Sequence, residues 1–426
     1  MKLFAHHQTQ VTDSHHTQPE PGDSVSGVRV AACHAVAWLV VGNAVGLYLS
    51  LLQWLPWLQA GEWSYGRWMP LHLTLQLYGW TSLPLVGWLF SLYDADRGRS
   101  SGWTGPTIWA WSAALGVGCF AWLNGETSGK LFLDWQGGAL LAFLAAQVML
   151  WVVLALAWRE HAPDWSPVRR KSALLGLLGL ALVPISLWFA TSPSVYPPID
   201  RSTGGPTGSS LQGSALIVVG LMLLLPRVTG GVQVLRSSGW AVWGFFLVSW
   251  VVFVVTEAIG GTHRDFWQIG AMAMLLPWVW WIPHEWRKYR WPDGAAVWRY
   301  SMLLWWGMLV VSGVLMYQPG VLDRIKFTQG LVAHSHLAMA GFTSSYVALT
   351  LVLLTGRRLG RWTAVLWQVA ALAMIVLLAW MGWREGAEPS WMLDVPSWRV
   401  SGLQLRSLIG AVMLAVSLHW WREVRK

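Results

Sequence analysis

His334 and His336 stand one residue apart near the start of a long apolar run. A histidine within a membrane span is costly unless something occupies it. On a helix, positions i and i+2 point about 200° apart, so this pair cannot close one compact site. Each ring instead serves a partner on its own side of the helix. Iron held by imidazole suits that spacing, with one heme on each face.

Low-spin ligation takes opposed imidazoles from two helices, with iron between them. His72 is the candidate partner. It lies near the start of an apolar segment at 68–93, about one turn below the surface at which 329–355 also begins. His72 and one of the pair therefore sit at compatible depths, and the other member is left to a second heme. Arg384, at a span end, and the polar segment Asn124-Gly125-Glu126-Thr127 are the candidate contacts for heme propionates, which prefer a wet, cationic end. The remaining histidines read differently. His161, His284 and His419 fall at loop or span ends beside Trp and charge, as interface residues do. His34 reads as a satisfied polar residue of the first span. His263, in Thr262-His263-Arg264-Asp265, reads as a surface residue or a contact for a partner subunit.

The elements that must position these groups are membrane helices. The 426 residues are 55% hydrophobic and only 12% charged, against about 25% charge in a soluble domain. Apolar stretches of about 20 residues account for the deficit. They predict twelve spans, at 28–55, 68–93, 105–123, 132–158, 172–191, 210–226, 239–257, 266–284, 299–317, 329–355, 362–383 and 403–421. The expected fold is all-α, with a polar, disordered cytoplasmic tail over 1–25 and one twelve-helix heme-binding domain over 26–426. With the N-terminus inside, 18 Lys and Arg fall in cytoplasmic loops and the C-terminal tail, and nine on the other side. That bias predicts cytoplasmic termini and hemes toward the outer face. The net charge of +9 is then a topology signal, not a nucleic-acid footprint. Cys33 and Cys119 lie far apart within spans and no CxxC occurs, which argues against disulfide or iron–sulfur chemistry.

These features together resemble the heme–copper oxidase superfamily, nearest to the large subunits of cbb3-type cytochrome c oxidases and nitric-oxide reductases. The resemblance covers nearly the whole chain. It rests on His72 in the second span and on His334-Ser335-His336 in the tenth. It also rests on the flanks Phe327–Ala333 and Leu337–Phe342, and on the loop Asn124–Lys130 after the third span. It implies that His72 and His336 bind a low-spin heme b and that His334 is the axial ligand of a high-spin heme. It also implies a prokaryotic plasma-membrane location and a membrane-anchored cytochrome c subunit, or a quinol, as electron donor.

The chain departs from that family where the catalytic metal would bind. Its members supply histidines from helices six and seven, whereas these spans carry Leu216-Ile217-Val218-Val219 and Trp243-Gly244-Phe245-Phe246. A distal copper or non-heme iron is therefore expected to be absent. The leading expectation is a redox subunit with two hemes, of b type as the resemblance implies, passing electrons between a cytochrome c or quinol and a second centre and binding a diatomic gas at the high-spin heme. Two other readings stay open: an oxygen or nitric-oxide reductase with non-standard distal ligands, and a transporter or structural subunit that uses the histidines for proton relay or packing.

Overall fold

The computed structural model describes residues 26–192, 194–195, 199–357 and 359–426. The expected tail over 1–25 lies outside them. The described chain is mostly helical. In order it forms α1 (Gly27–Leu52), α2 (Tyr65–Thr74), α3 (Ser82–Leu92), α4 (Ser101–Leu123), α5 (Gly137–His161), α6 (Pro167–Thr191), α7 (Gly208–Val228) and α8 (Trp240–Ile259). There follow α9 (Phe266–Ala273), α10 (Leu276–Trp286), α11 (Ala296–Met316), α12 (Val321–Ile325), α13 (Gln329–His336), α14 (Ser344–Thr355), α15 (Arg361–Ala387) and α16 (Ser397–Arg425). Two-residue strands, β1 (Gln233–Val234) and β2 (Tyr289–Arg290), pair antiparallel and tie two loops together.

Among the described residues, ten helices are long and apolar enough to cross a membrane: α1, α4 to α8, α11, the helix running from α13 through α14, α15 and α16. The chain is thus a multi-pass membrane protein. The sequence predicts twelve such helices. The other two expected spans are helical but interrupted. The span expected at 266–284 breaks at Met274–Leu275, where Pro277 opens the first turn of α10, a position at which its missing N–H is harmless. The span expected at 68–93 is α2 and α3 joined by a wider, π-helical turn over Leu75–Thr81.

A second π turn, Leu337–Thr343, joins α13 to α14. Both turns lie directly below a histidine and share one construction. Hydroxyls donate to carbonyls five residues back: Thr81 to Gln76, Ser82 to Leu77 and Ser344 to Met339. Each turn also contains a glycine lying under a tryptophan of a neighbouring helix. A Cβ on Gly79 would sit 2.5 Å from Trp38 Cβ, and one on Gly341 would sit 2.8 Å from Trp305 Cδ2. Such turns are frequent at functional sites.

Candidate heme site

α1 sets the position of His72 through Gly42 and Gly46, two glycines at a spacing of four that lets helices approach closely. The Gly42 carbonyl accepts from His72 Nδ1 at 2.7 Å. A Cβ on Gly46 would stand 2.6 Å from His72 Cε1, so the ring lies in a groove that only glycine leaves open. On the tenth expected span, His336 Nδ1 bonds the Val332 carbonyl at 2.8 Å. A carbonyl only accepts, so both Nδ1 atoms carry the proton and both Nε2 atoms keep a lone pair. His334 follows the same rule. Ser312 Oγ donates to the Leu309 carbonyl and accepts from His334 Nδ1 at 3.2 Å. No Nε2 of the three has a hydrogen-bond partner among the described residues. A metal-binding histidine is commonly fixed by this kind of outer hydrogen bond.

His72 and His336 line one cavity of about 460 Å³, together with Met69, Met339 and Met413. His334 does not line it. Its ring turns to α11, where Cε1 comes 3.7 Å from the Cβ position of Gly313. The pair thus splits between two sides of its helix, as the spacing of two dictates, and His336 is the member that joins His72. Both α13 histidines keep partial accessibility despite lying deep among helices.

One end of the cavity is cationic. Lys326, Arg399 and Arg406 line it, with Tyr65, Gln329 and Glu385. Arg399 is neutralised by Glu385 at 2.9 Å, and the same carboxylate accepts the Gln329 backbone N–H. Arg406 is different. It is 7% exposed, and its Nη1 bonds two neutral amide oxygens, those of Gln53 at 3.0 Å and Gln329 at 3.1 Å. It forms no ion pair among the described residues. A buried guanidinium with neutral partners favours an anion beside it.

Two expected contacts lie elsewhere. Arg384 does not line the cavity: it pairs with Glu388 at 3.6 Å and stacks over Trp398. Adjacent residues on a helix point about 100° apart, so Glu385 faces inward and Arg384 outward. Glu126 is exposed and its carboxylate lies by Gly137. From that loop it is Leu131 and Phe132 that reach the cavity. The arginines that do line the cavity are Arg399 and Arg406, visible in the sequence only as outer-side basic residues.

The other histidines are accounted for locally. His34 bonds Ser112 at 2.7 Å, His284 stacks on Trp280, His419 pairs with Glu423 and His161 contacts the Arg97 carbonyl. His263 is 4% exposed, not a surface residue, and its Nε2 meets Asp323 at 3.3 Å. Among the described residues, no group of three or more His, Cys, Asp or Glu is assembled to hold a metal ion.

A multi-pass helical membrane protein with two imidazoles on one internal cavity is the class this fold and site define. Its fold is similar to that of a heme–copper terminal oxidase dimer solved by cryo-electron microscopy, with a TM-score of 0.60 over 94% of this chain and 84% of that one, at 11% sequence identity. That likeness is one of fold. No family model matches the chain, and no curated protein sequence matches it.

Proposed function

We propose that the protein is a twelve-span, heme b-containing redox subunit of a prokaryotic respiratory complex, passing electrons between a cytochrome c or quinol and a second centre. It sits in the plasma membrane with both termini cytoplasmic and the hemes toward the outer side. In this reading His72 and His336 would hold a low-spin heme iron, and His334 would hold the iron of a second heme, which would supply a site for a diatomic gas. Heme supplies a one-electron couple whose potential follows from ligation, burial and nearby charge.

The observation that carries the reading is the cavity. Two imidazoles from different helices line it, each held by Nδ1 and each with Nε2 unspent, and its far end holds a buried arginine whose Nη1 is bonded to neutral amide oxygens. That donor set fits a bis-histidine heme with a propionate at Arg406. The residues divide the work. The Gly42 and Val332 carbonyls fix the tautomer and aim of the two rings, and Arg406 orients and balances the carboxylate. The apolar walls exclude water. The lack of histidine from Gly208 to Ile259 supports a site without distal copper or non-heme iron. The external donor is proposed to be a membrane-anchored cytochrome c subunit.

A reduced-minus-oxidised optical spectrum of the purified protein tests this directly. The expected result is b-type heme bands with two hemes per chain. A spectrum without heme bands would end the redox reading in favour of a transporter or structural subunit. Elemental analysis gives the second check: one copper or extra iron per chain beyond heme iron would replace the proposal with a catalytic oxygen or nitric-oxide reductase.

A further inference from the structure

We infer that a second cavity, enclosed by α3, α4, α5, α6 and α7, binds the ring of a membrane quinone through the carboxamide of Gln147. The cavity is independent of any heme; only the choice of a redox-active ring rests on the redox reading proposed above. Its volume is about 290 Å³, close to the lower bound of small-molecule sites, about 300 Å³. That is room for one ring, not for a whole lipid.

One polar side chain on the wall is uncommitted. Gln147 lies near the middle of α5, lines the cavity and is 8% exposed. Its Oε1 has no hydrogen-bond partner among the described residues. An amide oxygen left unpaired inside a membrane helix bundle is unfavourable and calls for a ligand or a functional reason. The other polar side chains on the described wall are paired. Ser82 Oγ donates to the Leu77 carbonyl. Trp88, Trp111 and Trp151 donate from Nε1 to Thr229 Oγ1, the Tyr78 carbonyl and the Leu177 carbonyl. Those bonds also fix the three indoles, so the wall is built of rigid aromatic rings and aliphatic side chains.

These features choose the ligand. No charged residue lines the cavity among the described ones, which disfavours a phosphate or carboxylate head. The rim includes Val183 of α6, 45% exposed and next to Leu182 at 59%. On a membrane helix such a rim opens to the bilayer, so the ligand is lipid-soluble. Three fixed indoles suit a flat ring. The amide supplies a donor and an acceptor: its NH₂ serves a quinone carbonyl, and its Oε1 accepts from a quinol hydroxyl. A quinone–quinol pair presents both in turn, whereas an acyl chain leaves Gln147 unpaired.

The position fits as well. Gln76 lines the cavity of His72 and His336, and Ser82, six residues on, lines this one. At about 1.5 Å per residue, about 9 Å of helix separates them. The π turn Leu75–Thr81 forms the partition, and Trp111 braces it through the Tyr78 carbonyl.

The test measures binding of decylubiquinone to the purified full-length protein in nanodiscs of a single phospholipid. Wild type should bind one equivalent saturably, with one quinone carbonyl band in the infrared lowered by the amide hydrogen bond. Gln147→Leu should weaken binding about two- to twelvefold, the loss of one hydrogen bond, and return that band to its free position. Val183→Trp, at the rim, should block entry and abolish binding. Decylbenzene, which has the ring and chain but no oxygen, should not displace the quinone. Displacement by decylbenzene, or equal binding by wild type and both variants, would overturn the inference and leave the redox proposal standing. So would a wild type with heme bands that binds no decylubiquinone. Saturable binding in a protein without heme bands would keep the site and refute the redox reading instead. Where Gln147→Leu fails to accumulate, the carbonyl band in wild type decides, and an unshifted band overturns the assignment.

Discussion

Alanine at position 46 puts a methyl carbon 2.6 Å from Cε1 and 3.0 Å from Nδ1 of His72. Contacts that short do not persist, so either α1 retreats or the ring turns. The ring is the softer element, since α1 packs along much of its length against α16, α3 and the π turn at Leu75–Thr81. Turning it breaks the 2.7 Å bond to the Gly42 carbonyl and moves Nε2 off its axis. Overpacking costs about 1–3 kcal/mol and the lost hydrogen bond about 0.5–1.5 kcal/mol. A combined effect of about 2–4 kcal/mol corresponds to roughly 30- to 700-fold in heme affinity at that site. The assay is heme transfer from the purified variant to excess acceptor apoprotein, followed at the low-spin band. Two alanine variants grade the result. Gly42→Ala meets only the flexible end of Gln76 and should lose far less, while Gly116→Ala enters open space and should match wild type. Equal release from Gly46→Ala and wild type would refute the placement of His72 as a ligand. Equal losses from all three variants would do the same, because the geometry ranks them.

Three further changes probe the rest of the site. His336→Ala should abolish the low-spin signal while some high-spin heme remains at His334; retention of both signals in the optical spectrum would contradict the assignment. Arg406→Gln should lower the midpoint potential of the low-spin heme, because a nearby cation favours the reduced form. A unit charge on the order of 10 Å away, at an effective dielectric of about 20, contributes about 1.7 kcal/mol, or roughly 70 mV for one electron. An unchanged or raised potential in a redox titration would sink the propionate contact. Outside the membrane, hydrogen bonds from Arg264 and then Lys326 hold the Asp323 carboxyl well below the usual carboxylate range. Its folded pKa is depressed, so its stabilisation is present above the unfolded value of about 4 and is lost as pH falls through the folded value. Wild type should lose thermal stability on acidification below about pH 4 more steeply than Asp323→Asn, which starts lower at neutral pH; parallel melting curves would exclude this role.

The helices were legible because apolar length is the main determinant of a span, and the residues of most expected spans form single helices. The interruptions were less so. A π turn depends on hydroxyls reaching carbonyls five residues back and on a tryptophan from another helix covering a glycine, and neither partner is adjacent in sequence. His72, His334 and His336 stand out because titratable groups in apolar runs are rare, and the spacing of two already separates the pair. Gly42 and Gly46 carry a readable spacing, but nothing local says that a histidine ring fills the groove. Arg384 illustrates the opposite limit. Its membrane side follows from charge counting, but facing the cavity depends on helical phase, and one residue of phase exchanges Arg384 for Glu385.

The two π turns bear on why this site has its form. Each inserts one residue into a helix, which rotates everything below it by about 100° relative to a regular helix. Above the second turn, α13 must send His334 toward Ser312 and His336 toward the His72 cavity. Below it, α14 is buried on nearly every side, from Ser344 to Val352. A regular helix would couple those two demands, since fixing the phase of the histidines would fix the phase of α14. The π turn separates them, with Gly341 admitting Trp305 at the junction. The same device follows His72, where Gly79 admits Trp38. It follows that filling either glycine should disturb the cavity from below while leaving the histidine hydrogen bonds above formally possible. Gly341→Ala should therefore broaden the low-spin band more than it lowers heme content, whereas Gly46→Ala, which strikes the ring itself, should chiefly lower content. Identical spectra and heme content in the two variants would show that the turn and the ring are not independent supports.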